Sequence, residues 1–149
     1  ALDAVEATVD RSIGIALGMV SLNIVPAPRE ELEKEARRIA LLLQLARDEA
    51  IVRNRLIAFE ANSDRYRFIV RNETSWDPIT NDDLLRERPF KSAPVVLLLN
   101  PPPQGPGNNN ELRITFGREP VDRPFVLTLG SGDDRVAIRA DGVGHFVVE

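Results

Sequence analysis

The sequence predicts an α+β fold in which one long N-terminal helix packs on mostly antiparallel β-sheets. A single helical pattern over residues 29–53 is followed by a succession of short patterns with a period of two. The chain has 149 residues, 43% of them hydrophobic and 28% charged, which is typical of one folded domain. Because the strands follow one another without intervening helices, a parallel β-α-β arrangement is not expected.

The first 28 residues are predicted to be separate from the rest. Residues 13–25 are apolar, but they are fewer than the roughly 20 residues that span a bilayer. Pro26 and Pro28 separate this run from the pattern that follows. The charges upstream are mostly acidic, which argues against a signal peptide. We therefore expect a distinct segment at residues 1–28, a globular domain at residues 29–149, and a chain that is soluble as given.

Residues 29–53 are predicted to be helical because apolar side chains recur at spacings of three and four. These are Leu32, Ala36, Ile39, Ala40, Leu43, Ala46, Ala50 and Ile51. Acidic side chains fill the first turns, where the helix dipole favours them. Three acid-first pairs are four residues apart: Glu30–Lys34, Glu33–Arg37 and Glu49–Arg53. Asn54 is expected to end the helix, since asparagine tolerates left-handed backbone.

A β-hairpin is predicted next, with strands at residues 56–61 and 65–71 joined by Asn62-Ser63-Asp64. Tyr66, Phe68 and Val70 alternate with the other side chains and are expected to be buried. The opposite face carries Arg65, Arg67, Ile69 and Arg71.

Short strands separated by turns are predicted for the remainder. Trp76-Asp77-Pro78-Ile79 leads into a polar connection, in which Asn81-Asp82-Asp83 is predicted to cap a helical turn at Leu84-Leu85. An apolar strand at residues 95–99 precedes a proline- and asparagine-rich loop at residues 101–110. Further strands are predicted at residues 112–116, 125–129, 135–140 and 145–148, with turns at 130–134 and 141–144.

Composition excludes several kinds of chemistry. The absence of cysteine removes disulfides, thiolate metal sites and cysteine nucleophiles. The one histidine, His145, lies in an apolar terminal strand pattern and is expected to be structural rather than a general base. Ser131 lies between glycines but lacks the frame of a nucleophile elbow, so we expect a turn residue. We therefore predict that the chain is not an enzyme and has no catalytic, cofactor-binding or metal-binding residues.

Other polar motifs receive structural interpretations as well. The pairs Asp82-Asp83 and Asp133-Asp134 lack the further oxygen ligands of a calcium loop and are expected in turns. Arg65, Arg67 and Arg71 form a basic row that is compatible with an anion, but a solvated strand face is favoured. With a formal net charge of -4, nucleic acid is not expected as a partner. Asn72-Glu73-Thr74 matches a glycosylation sequon by residue type, and Pro103 to Pro106 matches a weak Pro-x-x-Pro motif.

The order of these motifs resembles the H-type minor pseudopilins of bacterial type II secretion, the general secretion pathway protein H family. The likeness runs from Arg29 to Gly144. It is carried by the helix over residues 29–43 and 46–55, the strand at 56–60, the Tyr-x-Phe strand at 66–70, Trp76, the Pro-Phe-x-Leu-x-Leu strand at 124–129, and the Asp-Gly-x-Gly sequence at 141–144. Phe116-Gly117-Arg118-Glu119 departs from the family, which usually has a proline and a small residue before the glycine.

The resemblance implies a pilin-like fold and a non-catalytic subunit of the pseudopilus. It implies other minor and major pseudopilins as partners and a role in exporting folded proteins across the outer membrane. Whether the chain also contacts the exported cargo is left open by the resemblance. In the native form it implies an inner-membrane anchor and a globular domain in the periplasm. The family's Gly-Phe-Thr-Leu-x-Glu prepilin site is missing from residues 1–12. Residues 13–25, with Gly14 and Gly18 spaced for helix packing, therefore resemble the back half of an altered or truncated membrane helix.

Two alternatives remain at this stage. One is a minor pilin of the related type IV pili, some of which bind DNA during uptake. The other is a hydrolase, for which His145 has no evident partner in the sequence.

Overall fold

A computed structural model describes residues 28–102, 111–118 and 122–149. Its one helix in these ranges, α1 (Pro28–Arg53), begins at a proline, which needs no hydrogen bond from its missing N–H at a helix start. Glu30 and Glu31 occupy the first turn. Asn54 follows the helix with a φ of +57°, so the predicted stop is confirmed. The prediction for residues 13–25 lies outside the described residues.

Two antiparallel sheets follow α1. The first, sheet one, has the order β3-β2-β1-β6, and β4 also pairs with β2. Its strands are β1 (Ile57–Ala61), β2 (Arg65–Arg71), β3 (Trp76–Pro78), β4 (Arg88–Pro89) and β6 (Leu112–Phe116). Phe59 pairs with Phe68 on one side and with Ile114 on the other, so these three side chains share the inner face of sheet one. The predicted hairpin is therefore confirmed.

Sheet two has the order β9-β8-β7-β5. Its strands are β5 (Val96–Asn100), β7 (Phe125–Ser131), β8 (Asp134–Ala140) and β9 (Phe146–Val148). The pairing of Leu127 with Ile138 and of Leu129 with Val136 defines its inner face. Gly132, with a φ of +60°, and Asp133 form the two-residue turn between β7 and β8.

The core lies where α1 meets the inner faces of both sheets. The helix packs mainly on β8 and β9 of sheet two and also contacts β1, β6 and β7. Its fully buried stripe includes Leu32, Ala36, Ile39, Leu43, Ala46 and Ala50, as predicted. Ile51 is only half-buried, whereas Leu42 is also buried. Of the predicted ion pairs, Glu49–Arg53 forms at 2.9 Å, and Glu33 instead lies 3.9 Å from Arg29.

Two predictions about the connections are modified. Trp76–Pro78 is a strand rather than the start of a polar connection, because it pairs with the end of β2. Asp82 does accept hydrogen bonds from the backbone N–H groups of Leu84 and Leu85, but this segment forms bends and no helical turn. Among the described helical residues there is no stretch with the length and hydropathy needed to cross a bilayer.

Candidate interaction surfaces

The face of sheet one that points away from α1 contains a buried carboxylate between two arginines. Glu60, in the central strand β1, pairs directly with Arg67 in β2 and with Arg113 in β6. Glu60 is only 4% exposed, and its two oxygens accept from Arg67 at 2.7 Å and from Arg113 at 2.6 Å. Burial by itself raises the pKa of Glu60, but the hydrogen bonds from Arg113 and Arg67 outweigh burial and hold this pKa below its usual value.

Trp76 adds an aromatic surface beside this triad. The guanidinium carbon of Arg113 lies 5.3 Å from the centre of the indole, and that of Arg71 lies 5.9 Å from it. Because Trp76 is in β3 and Arg113 is three strands away in β6, the indole extends across the face of the sheet that also carries Ile69 and Ala58, which pair with each other. These two side chains are 2% and 0% exposed although they point away from the helix. We call this surface the Trp76 face; it comprises Glu60, Arg65, Arg67, Arg71, Trp76 and Arg113.

The outer face of sheet two exposes apolar side chains at its edge. On the edge strand β5, Val96 and Leu98 are 59% and 61% exposed. By register, Leu98 lies beside Thr128, which in turn lies beside Ala137. Exposed apolar side chains that lie together in this way are typical of protein contact surfaces.

A groove of about 530 Å³ runs between α1 and the edge strand β9. Its lining includes Leu41 and Val147, which are 70% and 54% exposed, with charged side chains such as Arg37 and Glu149. The helix therefore leaves a second apolar surface uncovered within the described residues.

His145 pairs with Asp141 at a turn. It immediately precedes β9 instead of beginning that strand, and its side chain is 76% exposed. Its Nδ1 lies 2.5 Å from Asp141 Oδ2, at the two ends of the turn between β8 and β9. The backbone N–H of Val143, together with His145, holds the pKa of Asp141 down at about 2. This pair stabilises a turn, as expected for a structural histidine.

The other motifs singled out in the sequence also have local roles. Ser131 ends β7, and its hydroxyl donates to the carbonyl of Ser92 over 3.3 Å. Asp133 lies in the hairpin turn, whereas Asp134 begins β8. The side-chain amide of Asn72, in the sequon, donates to Asp77. Residues 103–106 lie outside the described part of the chain.

In the part of the chain that the structure describes, three charged side chains are buried that no sequence pattern predicted: Glu35, Arg47 and Glu60. Glu35 accepts from the Tyr66 hydroxyl and from the backbone N–H of Lys91, and it thereby joins α1 to sheet one and to the loop before β5. Nothing in the helical pattern distinguishes Glu35 from its exposed acidic neighbours. Glu60 does interrupt an otherwise apolar strand, and that interruption was the one available indication.

In residues 28–102, 111–118 and 122–149 no cluster of histidine or acidic side chains could hold a metal ion. The fold instead presents a long helix, two antiparallel sheets and broad surfaces with apolar, aromatic and arginine side chains. These features define a pilin-like subunit.

The family follows from comparison with known proteins. The family described as "Type II transport protein GspH" matches residues 35–144. The chain therefore belongs to this family, the H-type minor pseudopilins of type II secretion, as the resemblance in its motifs implied. No curated protein matches the sequence.

Solved structures of pseudopilins and pilins share the fold. The minor pseudopilin EpsH of Vibrio cholerae is similar at 17% identity, with a TM-score of 0.60 over 80% of this chain and 96% of that one. The solution structure of Escherichia coli GspH gives 17% identity and a TM-score of 0.55 over 81% and 90%. The type IV minor pilin FimU of Pseudomonas aeruginosa gives 20% identity and a TM-score of 0.55 over 81% and 90%. The predicted helix on antiparallel sheets is thus confirmed.

Proposed function

We propose that this chain is a non-catalytic minor pseudopilin that assembles with other minor and major pseudopilins and supports the export of folded proteins across the outer membrane. The observation that carries the proposal is membership of the GspH family over residues 35–144. A subunit of this kind works through its surfaces, and its chemistry is that of protein association.

The described surfaces support assembly. Leu98 on sheet two and Leu41 beside β9 are large apolar side chains with most of their area exposed. Trp76 and its arginines have the side chains that contribute most strongly to protein interfaces. A subunit that contacts several neighbours needs more than one such surface, and these three lie on different parts of the fold.

We further propose that residues 1–28 form a distinct segment, an altered or truncated part of the helix that anchors the native precursor in the inner membrane. Residues 29–149 would then form the globular domain in the periplasm. The apolar run at residues 13–25 and the start of α1 at Pro28 support this division. Contact of the globular domain with exported cargo belongs to the same proposal.

Binding measurements test the proposed assembly. The 149-residue chain is mixed with the purified periplasmic domains of the other pseudopilins of its own secretion system, and complexes are measured by calorimetry and by light scattering after gel filtration. We expect a saturable complex with at least one of them. The absence of binding to all of them would overturn the proposal.

A minor pilin of type IV pili is the second candidate, and its support is the similarity to FimU. That similarity is below 25% identity and extends to the fold alone. The same binding series therefore includes type IV minor pilins from the same organism and duplex DNA. Binding to these, with no binding to pseudopilins, would favour the second candidate.

A further inference from the structure

We propose that the Trp76 face binds a carboxylate-rich surface of a neighbouring pseudopilin. This inference rests on the proposed function, because it names the chemistry of one partner surface in the pseudopilus. The basic row on β2, for which the sequence alone favoured solvation, belongs to this face.

The Trp76 face carries a positive charge. Four arginines, Arg65, Arg67, Arg71 and Arg113, lie on the same side of sheet one as Glu60. Glu60 neutralises one positive charge, and Glu87, 3.6 Å from Arg65, neutralises another. Two positive charges therefore remain on this face of a chain whose formal net charge is -4. A basic face attracts anionic groups, whereas the net negative charge of the whole chain opposes its association with a second copy.

The arginine side chains of the Trp76 face are held in place by their neighbours. Arg67 and Arg113 form ion pairs with Glu60, and the indole of Trp76 contacts the guanidinium groups of Arg113 and Arg71. The side chain of Arg113 still has 43% of its area exposed, and that of Arg67 has 33%. These guanidiniums are held in place yet retain surface for a ligand. Binding to them costs less side-chain entropy than binding to freely moving arginines.

The side chains of the Trp76 face favour one type of anion as the ligand. A guanidinium matches a carboxylate through two parallel hydrogen bonds, and charged pairs of this kind set the register of protein interfaces. Single-stranded nucleic acid needs a series of aromatic side chains for successive bases, whereas this face has the single Trp76. Tryptophan flanked by arginines is instead characteristic of interaction hot spots between proteins. Acidic side chains on a protein surface are therefore the favoured ligand.

The test compares two charge reversals that alter the net charge equally. Arg71→Glu changes an exposed side chain of the Trp76 face that lies outside the Glu60 triad, and Arg71→Gln is the milder second variant. Arg53→Glu changes an arginine at the end of α1 that is 68% exposed and lies on none of the three candidate surfaces. Both proteins are checked for wild-type thermal unfolding, and their affinity for each pseudopilin domain that binds the wild-type chain is then measured. We expect Arg71→Glu to weaken binding at least about tenfold for one partner, and Arg53→Glu to change it less than about twofold.

Two further measurements test the role of charge: the salt dependence of binding, and an exchange of charges between Arg71 and an acidic residue of the partner. Wild-type binding to that partner should weaken about tenfold between about 50 and 300 mM NaCl, and Arg71→Glu should show a smaller salt dependence. An acidic residue of the partner, replaced by arginine, should restore binding to Arg71→Glu.

Four outcomes would overturn the inference. If the wild-type chain binds pseudopilins and Arg71→Glu binds them equally well, the Trp76 face is not the binding surface. The proposed function would still stand. Equal losses in Arg71→Glu and Arg53→Glu would show a general charge effect. Duplex DNA, or a second copy of the chain, bound through Arg71 would assign the face to a different partner. No binding by the wild-type chain would overturn both proposals together.

Discussion

Arg47 Nε donates to Asp122 Oδ2 over 2.7 Å and thereby ties the middle of α1 to the residues that precede β7. Only 9% of the Arg47 side chain and 14% of the Asp122 side chain are exposed. Little water can therefore reach either charge. Removal of one partner from such a pair leaves the other charge buried without its nearest counter-charge.

We expect Asp122→Ala to lower the free energy of unfolding by about 3 kcal/mol, because Arg47 remains in place without its closest carboxylate. Urea denaturation at pH 7 measures this loss. Asp48→Ala is the control, since Asp48 lies 3.8 Å from Arg47 but is 56% exposed. It should cost only about 0.5 kcal/mol. Equal losses in the two variants would contradict the importance of the buried pair.

Glu60 should make the stability of sheet one depend on pH. The pKa of Glu60 in the folded chain lies below the 4.5 of an unperturbed glutamate. The stability that this carboxylate contributes is therefore present above pH 4.5 and is lost as the pH falls through the lower, folded-state value. We expect Glu60→Gln to be less stable than wild type by about 2 kcal/mol at pH 7, with a smaller difference below pH 4.

The measurement is urea denaturation of both proteins across this pH range. A double-mutant cycle with Arg113→Gln separates the pair from other effects, and the coupling energy should be about 1 kcal/mol or more. A difference between the two proteins that stays constant with pH would argue against an ionised Glu60 in the triad.

The only tyrosine provides a direct optical measurement of burial. Burial of Tyr66, followed by the nearby carboxylate of Glu35, raises its pKa to about 12 from 10. Since the phenol stays neutral in the folded chain, its contribution to stability is complete below pH 10 and disappears as the pH rises toward 12. Absorbance at the phenolate band should titrate near pH 12 in buffer and near pH 10 in urea. Glu35→Gln should lower the folded-state pKa, and an unchanged pKa would exclude the carboxylate as a cause.

Gly142 should tolerate no side chain. Its φ is +87°, and a Cβ at this position would lie 2.5 Å from the carbonyl oxygen of Asp122. We expect Gly142→Ala to cost about 3 kcal/mol in thermal or urea unfolding, because strain and a backbone clash combine. Gly132→Ala is the matched control, with a φ of +60° and no atom within 4 Å of its Cβ. It should cost about 1 kcal/mol. Similar costs at both positions would show that φ alone matters.

Local patterns were sufficient to predict the helix and most strands. Residues 29–53 have a helical period, residues 65–71 have a period of two, and both patterns depend only on near neighbours in the sequence. Asn54 was identifiable because few residue types accept a positive φ. The short strands β3 and β4 have three and two residues, and their pairing with β2 depends on contacts that no local pattern contains.

The candidate surfaces depended on register, which the sequence does not display. Arg67 and Glu60 belong to one hairpin, so their pairing follows once the turn is known. Arg113 is 53 residues from Glu60, and only the placement of β6 beside β1 brings them together. The basic row on β2 was visible, but its carboxylate and its tryptophan came from other strands. For that reason a solvated face was the better prediction from sequence.

Because α1 packs mainly on β8 and β9, the first described element of the chain is covered by the last two strands. Arg29 donates to the backbone carbonyl of Arg135, which is 106 residues later in the sequence. The two ends of this long stretch of chain must therefore come together during folding. A polypeptide that emerges from the ribosome or a translocation channel N-terminus first would expose the apolar stripe of α1 until β8 and β9 emerge. Long-range closure of this kind slows folding and exposes the nascent chain to aggregation. The packing of α1 therefore cannot be completed before β8 and β9 have been synthesised.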